Sequence, residues 1–490
     1  MTTTLGSTDR LLIGGLLVCG NGLPLPVENP ATEEAFTTVP TADAEQVEAA
    51  IATARASFDS GVWTNRPADE RVATLLAMAQ WLEQRREELV ETAVLEVGAP
   101  RSLARLAQVG MALDQARQLP ELFAGLPKWE HNEMPLGELI TGKDVLLSIR
   151  QYEPVGVVTA ITPYNFPLQT NIWKVFSALA AGCSVILRPS PLTPLSALVL
   201  GEAALAADLP PGVLNIVVED GTAGALRLTS DPRVDCVSFT GSTTVGRQIT
   251  AQAAPTVKRM VLELGGKSVQ LYLPDGVDRV GTGAATVFAS HSGQACTAQT
   301  RVLVPHDAVD TALEKITSLI PFLKVGDPSD DKTMIGPVIS AQQRERIERL
   351  VAAGIEAGAE VVAGGKRPTG LDRGYFVEPT VLRITDNGNP VAQQEVFGPV
   401  ITVQGYGDLD EAVAIANDSE YGLGGGVYTA DLPTGLGVAN RIRSGTVQVN
   451  RSAPTAYTPT GGFKQSGIGR ERGVAGLREY QEVKHIVVGP

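Results

Sequence analysis

The sequence predicts an α/β protein with two parallel-sheet units, and three observations carry that expectation. From about residue 152 the chain runs through short β-branched stretches (VGVVTAIT, CSVILRPS, VLNIVV, VDCVSFTG and KRMVLELGG), each followed by a helical segment. Such alternation is the pattern of βαβ units, whose parallel sheet carries helices on both faces. Between 264 and about 462 a second series follows, with SVQLYL, TRVLVP, EPTVL, PVITVQGY and GTVQVN as its strands. Third, 490 residues exceed one ordinary core; at roughly 100–200 residues per domain they fill about two to four compact units, with a cleft available between them. Sheets of this kind bind ligands at the carboxyl ends of their strands.

Taken in order, the apolar run LLIGGLLVCG (11–20) is broken by Gly-Gly and lacks a small-residue cleavage pattern before NGLPLP, so it reads as a short β entry rather than a signal core. TADAEQVEAAIATARASF (41–58) has apolar positions at helical spacing, with Asp43 and Gln46 placed as a capping box. A second helical stretch, 67–98, ends on Gly98. Two pieces stand outside the alternation: HNEMPLGELITGKDVLLSIRQYEP (131–154) and the terminal REYQEVKHIVVGP. Strands there can pair with another chain, because exposed edges invite pairing, or fold back as a local hairpin. In the second unit, Ser340 and Gln343 form another capping box at the head of SAQQRERIERLVAAGIEAG. There is no internal repeat and no low-complexity segment.

A net charge of −14, with Lys and Arg nowhere gathered into a run, opposes nucleic acid as a partner. The four cysteines, Cys19, Cys183, Cys236 and Cys296, are widely spaced with no CxxC, so neither a disulfide framework nor a metal site is readable. A reducing cytosol fits that usage. No stretch reaches the roughly 18 apolar residues of a membrane helix, so the expectation is a soluble protein.

Four stretches can carry chemistry. In SFTGSTTVGRQI (238–249) a strand runs through Gly241 and Ser242 into a helical segment, a geometry whose free N–H groups suit a pyrophosphate. The glycine spacing is not G-x-G-x-x-G, and an ordinary tight βα turn fits equally. VLELGGKS (261–268) ends like a phosphate loop, but Val261 stands where that loop needs glycine. What remains is Glu263 at a strand end beside Gly265 and Gly266, where partial burial can make a carboxyl a general base, or leave a solvated strand-end acid. Asn165, in ITPYNFPLQT, reads as a helix cap or turn residue, or as a donor to an oxyanion. Cys296, in SGQACTAQTR, differs from Cys183 and Cys236, which sit inside apolar strand runs as small hydrophobes. Its loop or helix-start setting offers N–H groups that stabilise a thiolate.

Together these stretches resemble the NAD(P)-dependent aldehyde dehydrogenase superfamily, over nearly the whole chain. PYNFP, ILRPSPLTP, FTGSTTVG, LELGGKS, GQACTAQTR, EVFGPV, GTVQVN and GGFKQSGIGRE follow one another in the family's order. The resemblance implies an aldehyde-dehydrogenase-like fold: two Rossmann-like parallel-sheet domains plus a small β oligomerisation flap. On that pattern 1–130 and 151–263 form the NAD(P)-binding domain, 264–462 the catalytic domain, and 131–150 with 463–490 the oligomerisation and bridging segments. It further implies oxidation of a small-molecule aldehyde to a carboxylic acid with NAD or NADP, in a cytoplasmic homodimer or homotetramer. Cys296 would be the nucleophile, Glu263 the base, and Asn165 with the Cys296 N–H the oxyanion site. Lys174 and Glu471 match positions linked to proton or water handling. For the cofactor, Ile161, Thr162, Pro163, Asn165 and Leu264 would border the nicotinamide, and Glu395 and Phe397 its ribose. Arg188, Ser190 and Pro191 would face the adenosine ribose, with Gly221, Phe239, Gly241, Ser242 and Val245 at the adenine and pyrophosphate.

Several positions depart from the family pattern. Arg188 replaces a usual lysine, and Pro191 replaces a glutamate common in strictly NAD-dependent members. Losing that carboxylate while gaining a forked donor makes NADP or dual use plausible, although the same pair can hold the ribose differently. PTGG (459–462) replaces PFGG, so Thr460 should leave a wider or more polar entrance; Arg451 can meet a substrate carboxylate or be surface charge. A CoA-acylating relative, a cofactor-independent thiol esterase and a non-catalytic protein of the same fold remain as alternatives.

Overall fold

The computed structural model describes residues 9–133, 147–452 and 454–488. Its first sheet has eight strands in the spatial order 16–18, 11–13, 214–216, 184–188, 157–161, 236–240, 259–263 and 467–468. The five from 214–216 to 259–263 run parallel. Strand order proceeds outward in both directions from Val157–Ile161, so the connections reverse between that strand and Cys236–Thr240. In an open α/β sheet such a reversal opens a crevice at the carboxyl ends of the two strands. Val157–Ile161 and Ser184–Arg188 are buried throughout, as a parallel sheet covered on both faces requires. Helix Pro167–Ala181 covers one face; proline at its first turn and Gly182 at φ 99° define its ends.

The apolar run near the N-terminus is a hairpin, Leu11–Ile13 against Leu16–Val18, turned by Gly14 and Gly15 at φ 60° and 83°. It extends the first sheet through Leu12, which pairs with Ile216. Asp43 and Gln46 make the expected capping box on helix Ala44–Ser60.

The second sheet has seven strands, ordered 360–363, 380–383, 400–406, 301–305, 269–272, 424–428 and 446–449, all parallel except the first. Gly424–Tyr428 is a buried strand that the sequence reading missed, since GGGVY carries almost no strand propensity. Its glycines answer to packing: a Cβ on Gly426 would lie 2.7 Å from the Gln299 side chain.

A third, antiparallel sheet joins Trp129–His131, Leu147–Pro154 and Gln481–Val488. The two excursions expected from the sequence therefore pair with each other, from Gln481 opposite Pro154 to Val488 opposite Leu147. Residues 134–146 of that expectation lie outside the described residues. The stretch before Gln481 sits elsewhere: Gly467 and Ile468 pair with Glu263 and Leu262 at the edge of the first sheet, and Tyr480 belongs to its core.

Candidate active site

Strand Arg259–Glu263 delivers Glu263 to the end of the first sheet, and the next residues have no room for side chains. A Cβ on Gly266 would fall 2.4 Å from the carbonyl oxygen of Cys296, and one on Gly265 would fall 2.7 Å from Glu395 Oε2. Glycine at both positions lets the Cys296 loop and the Glu395 carboxylate lie directly on this backbone. Glu395 Oε1 accepts from the Gly266 N–H at 3.0 Å. Burial pushes Glu395 up to about 7.

Cys296 sits in a turn after helix Val280–Ala289, not at a helix start. His291, Ser292 and Gly293 all have left-handed φ, at 52°, 56° and 72°. Gln294 anchors the turn: its Oε1 accepts from the Ile339 N–H at 2.9 Å, and its carbonyl accepts from Asn165 Nδ2 at 2.8 Å. Asn165 is therefore neither the cap of helix 167–181, whose N-terminus has no side-chain cap, nor idle. Its backbone carbonyl accepts from Gln108 Nε2 at 2.7 Å, and its side-chain amide has one hydrogen committed to the Gln294 carbonyl and the other left.

The thiol is partly exposed, whereas Cys183 and Cys236 are buried. Its cleft is not the thiolate-stabilising setting that the sequence suggested. Burial first, and then the Glu395, Glu263 and Glu471 carboxylates, against the opposing Thr297 N–H, raise Cys296 to about 12. At rest the group is a thiol.

Glu263 is buried, with Oε1 lacking a hydrogen-bond partner among the described residues. Its pKa is raised well above the carboxylate range, first by burial and then by Glu471; Lys174, Arg470 and Arg472 pull it back. Glu471 forms a fully buried ion pair with Lys174, whose Nζ also donates to Ser238 Oγ at 3.1 Å. Ser238 Oγ in turn lies 3.0 Å from the Tyr480 hydroxyl. Thr460 does not open the entrance as a free side chain would: it is buried and exchanges two backbone hydrogen bonds of 2.8 Å with Glu471. Arg451 is exposed.

The remaining candidates line the crevice at the ends of the first sheet. Ile161, Thr162 and Pro163 follow the central strand, and Thr162 N–H donates to the Arg188 carbonyl at 3.2 Å. The Thr162 hydroxyl turns inward to Asn171, and Ser190 Oγ accepts from the Leu192 N–H in its own turn. Phe239 and Gly241 are in contact, a Cβ on Gly241 falling 2.4 Å from the ring. Ser242 caps helix Thr243–Ala253, whose first turn has no acid; Val245 is exposed on that turn and Leu264 packs against its Gly246. Phe397, at φ 57°, meets Tyr164 edge-on at 5.9 Å. The Ser340 box forms only by half: Ser340 caps its helix, while Gln343 Nε2 donates instead to the Val396 and Phe397 carbonyls, fixing that corner.

Three residues of the cleft went unread in the sequence. Glu219 ion-pairs with Arg188; its signal was an acid between a strand and a glycine-containing helix start. Arg472, buried and stacked 4.7 Å over Trp173, had none beyond its place beside Glu471. Lys267 is buried and lowered to about 7 by desolvation, then by Arg301.

A dinucleotide fits what is present. A Cβ on Gly221 would meet nothing within 4 Å, so that backbone fronts open space. The capped, acid-free helix start at Ser242 supplies donors for phosphate, and the Glu395 carboxylate supplies acceptors for sugar hydroxyls.

A two-sheet α/β chain with a nucleotide crevice meeting a cysteine and a buried carboxyl defines a nucleotide-linked oxidoreductase. The sequence model of the aldehyde dehydrogenase family matches residues 19–486, and this chain belongs to that family, whose members oxidise aldehydes with NAD(P). The chain is 38% identical to an aldehyde dehydrogenase of Mycobacterium tuberculosis solved with NAD+, covering 98% of each chain at a TM-score of 0.93. It is 37% identical to a cysteine-to-alanine variant of aldehyde dehydrogenase C from Pseudomonas syringae solved with NAD+ and octanal, with 98% and 97% covered and a TM-score of 0.92. Geranial dehydrogenase of Castellaniella defragrans is 38% identical over 459 residues, 94% of each chain. Among the described residues no helix is long and apolar enough to cross a membrane, and no His, Cys, Asp and Glu cluster suits a metal ion.

Proposed function

We propose that Cys296 attacks the aldehyde carbon and that Glu263 handles the protons on either side of that event. The supporting observation is the placement of the Cys296 carbonyl against Gly266, three residues past Glu263, with the Glu263 carboxylate close enough to raise the thiol's pKa. Glu263 in its ionised form, made a stronger base by burial, takes the thiol proton as sulfur bonds to the carbonyl carbon. The tetrahedral thiohemiacetal oxygen is met by the Cys296 N–H and the uncommitted hydrogen of Asn165 Nδ2. When bound, the nicotinamide accepts the hydride that the aldehyde carbon gives up. The carbon then remains on Cys296 as a thioester. Glu263 passes that first proton on to solvent and then draws another from water, whose oxygen adds to the thioester carbon; sulfur leaves, takes the proton back from Glu263, and the carboxylic acid is released. Glu471 and Lys174 adjust the charge that Glu263 feels. Water rather than CoA is the acceptor in this reading, because a buried base stands ready to activate it.

For the cofactor, Ser242, Gly241 and Val245 would hold the pyrophosphate side, Gly221 and Phe239 the adenine side, and Arg188, Ser190 and Pro191 the adenosine ribose. Glu395 and Phe397 would hold the nicotinamide ribose, with Ile161, Thr162, Pro163 and Leu264 beside the ring. Residues 1–130 and 151–263 would form the NAD(P)-binding domain, 264–462 the catalytic domain, and 131–150 with 463–490 the oligomerisation and bridging segments. The flap, whose Val483, Val487 and Trp129 are exposed, would join copies into a cytoplasmic homodimer or homotetramer.

The test is a panel of aldehydes offered with NAD or NADP, with and without CoA, while reduced nicotinamide is followed. Turnover without CoA that is lost in Cys296→Ala is the expected result; a Cys296→Ala protein of full activity would end the proposal.

A further inference from the structure

Arg188 ends the strand beside the central one, and its guanidinium is already engaged. Nε donates to Glu219 Oε1 at 3.1 Å and Nη2 donates to the Gly221 carbonyl at 2.6 Å. Glu219 is held from the other side as well. Its Oε2 accepts from the Gly224 N–H at 2.6 Å and Oε1 from the Ala225 N–H at 2.8 Å, the first-turn donors of helix Ala223–Ser230. The fit allows nothing larger than glycine at 224, where a Cβ would fall 2.4 Å from Glu219 Oε2. Both residues are buried, with side chains 11% and 9% exposed. The carboxylate thus serves at once as a helix cap and as the counter-ion of Arg188, and the arginine is tied to Gly221, whose backbone faces open space.

We propose that the Arg188–Glu219 pair sets this protein's nucleotide choice, favouring a free ribose 2′-hydroxyl over a 2′-phosphate. The inference rests on the reading that the adenosine ribose lies at this strand end. A phosphate there brings close to two negative charges. It would find two of the five guanidinium donors committed, the Glu219 carboxylate fixed in place beside them, and the exposed Asp220 next to it. Turning the whole guanidinium to the phosphate would break its hydrogen bonds to Glu219 and Gly221 and leave a buried carboxylate with helix N–H groups alone, whereas using only its remaining N–H groups keeps the Glu219 charge beside the phosphate. A hydroxyl brings a donor and no charge, and asks for none of this. The acid missing at Pro191 is therefore supplied from beyond the end of the next strand, and the charge of the forked donor that seemed to invite NADP is already met by Glu219.

Calorimetric titration of the full chain without aldehyde tests the pair directly, using NAD, NADP, 5′-AMP and 2′,5′-ADP. The 2′-phosphorylated member of each couple should bind at least about tenfold more weakly, a difference of about 1.4 kcal/mol. Glu219→Gln, which keeps an acceptor for the helix, should shrink that ratio about tenfold by freeing Arg188. Adding Arg188→Gln to Glu219→Gln should take the gained 2′-phosphate binding away again, and Glu219→Asp should keep the preference. NADP binding as tight as NAD in the unaltered protein would overturn the inference, as would an unchanged ratio in Glu219→Gln. Binding of none of the four would instead overturn the reading of the crevice itself, and the inference with it.

Discussion

The nucleotide crevice and the thiol cleft lie at the same end of the first sheet and are built on opposite principles. The crevice is made of backbone: the open face of Gly221, the strand end at Gly241 and the capped helix start at Ser242. Its one buried ion pair, Arg188 with Glu219, is held by hydrogen bonds on both sides. The cleft concentrates groups whose charge is expensive: Cys296, Glu263 and Glu395 are all pushed towards their neutral forms, chiefly by burial. A backbone site tolerates side-chain change and discriminates ligands by shape and local charge. A site of desolvated titratable groups responds to single substitutions strongly, and in a pH-dependent way.

Breaking that contrast should be easiest at the thiol. Cys296→Ala should lower aldehyde-dependent turnover by about 10⁴-fold or more, as loss of a covalent nucleophile does; steady-state assays with either nucleotide measure it. Glu263→Gln should slow turnover by roughly 10²–10⁴-fold. The same change removes one of the charges raising Cys296, so alkylation of the thiol by iodoacetamide at pH 8 should become faster. An unchanged rate would place Glu263 too far from the sulfur to matter, and a slower one would show that its action as a base outweighs its charge. In the unaltered protein, alkylation should climb about tenfold per pH unit from 6 to 10, because a group raised to about 12 stays mostly protonated throughout; a plateau by pH 8 would contradict this.

The buried Lys174–Glu471 pair sharpens the comparison through stability. Lys174→Met strands a buried carboxylate and should cost about 3–5 kcal/mol in denaturant unfolding. The double variant with Glu471→Gln should recover part of that loss. The smallest effect belongs to Glu96, buried beside helix Leu195–Ala206, with Oε1 accepting from the Leu195 N–H and Oε2 unpartnered among the described residues. Burial raises its pKa to about 8. Since the folded value lies above the unfolded one, its contribution is complete below about pH 4.5 and is lost as pH rises towards 8. Glu96→Gln should therefore gain on the unaltered protein by about 1–3 kcal/mol between pH 5 and 8, read from unfolding at the two pH values.

What the sequence made legible follows the same division. Strands such as Val157–Ile161 and Arg301–Pro305 announce themselves because burial on both faces demands β-branched runs. Gly424–Tyr428 is silent because its glycines answer to Gln299 and not to strand propensity. The Asp43 box is local and was readable in full. At Ser340 the cap was readable, but Gln343 is drawn to the Phe397 loop by a contact 54 residues away. Cys296 and Glu263 stand out through ordered motifs, yet the pKa of the thiol depends on three carboxylates brought from distant parts of the chain. Glu219 was invisible for the same reason: its meaning lies in Arg188, 31 residues earlier.

The central claim, that Cys296 carries the acyl group while Glu263 directs its release to water, is tested most directly by intact and peptide mass spectrometry of Glu263→Gln mixed with the preferred nucleotide and an aldehyde that the unaltered protein turns over. An acyl adduct of that aldehyde confined to the Cys296 peptide, disappearing slowly after excess aldehyde is removed, is the expected result. An adduct on another residue, or steady turnover with Cys296 never acylated, would contradict it.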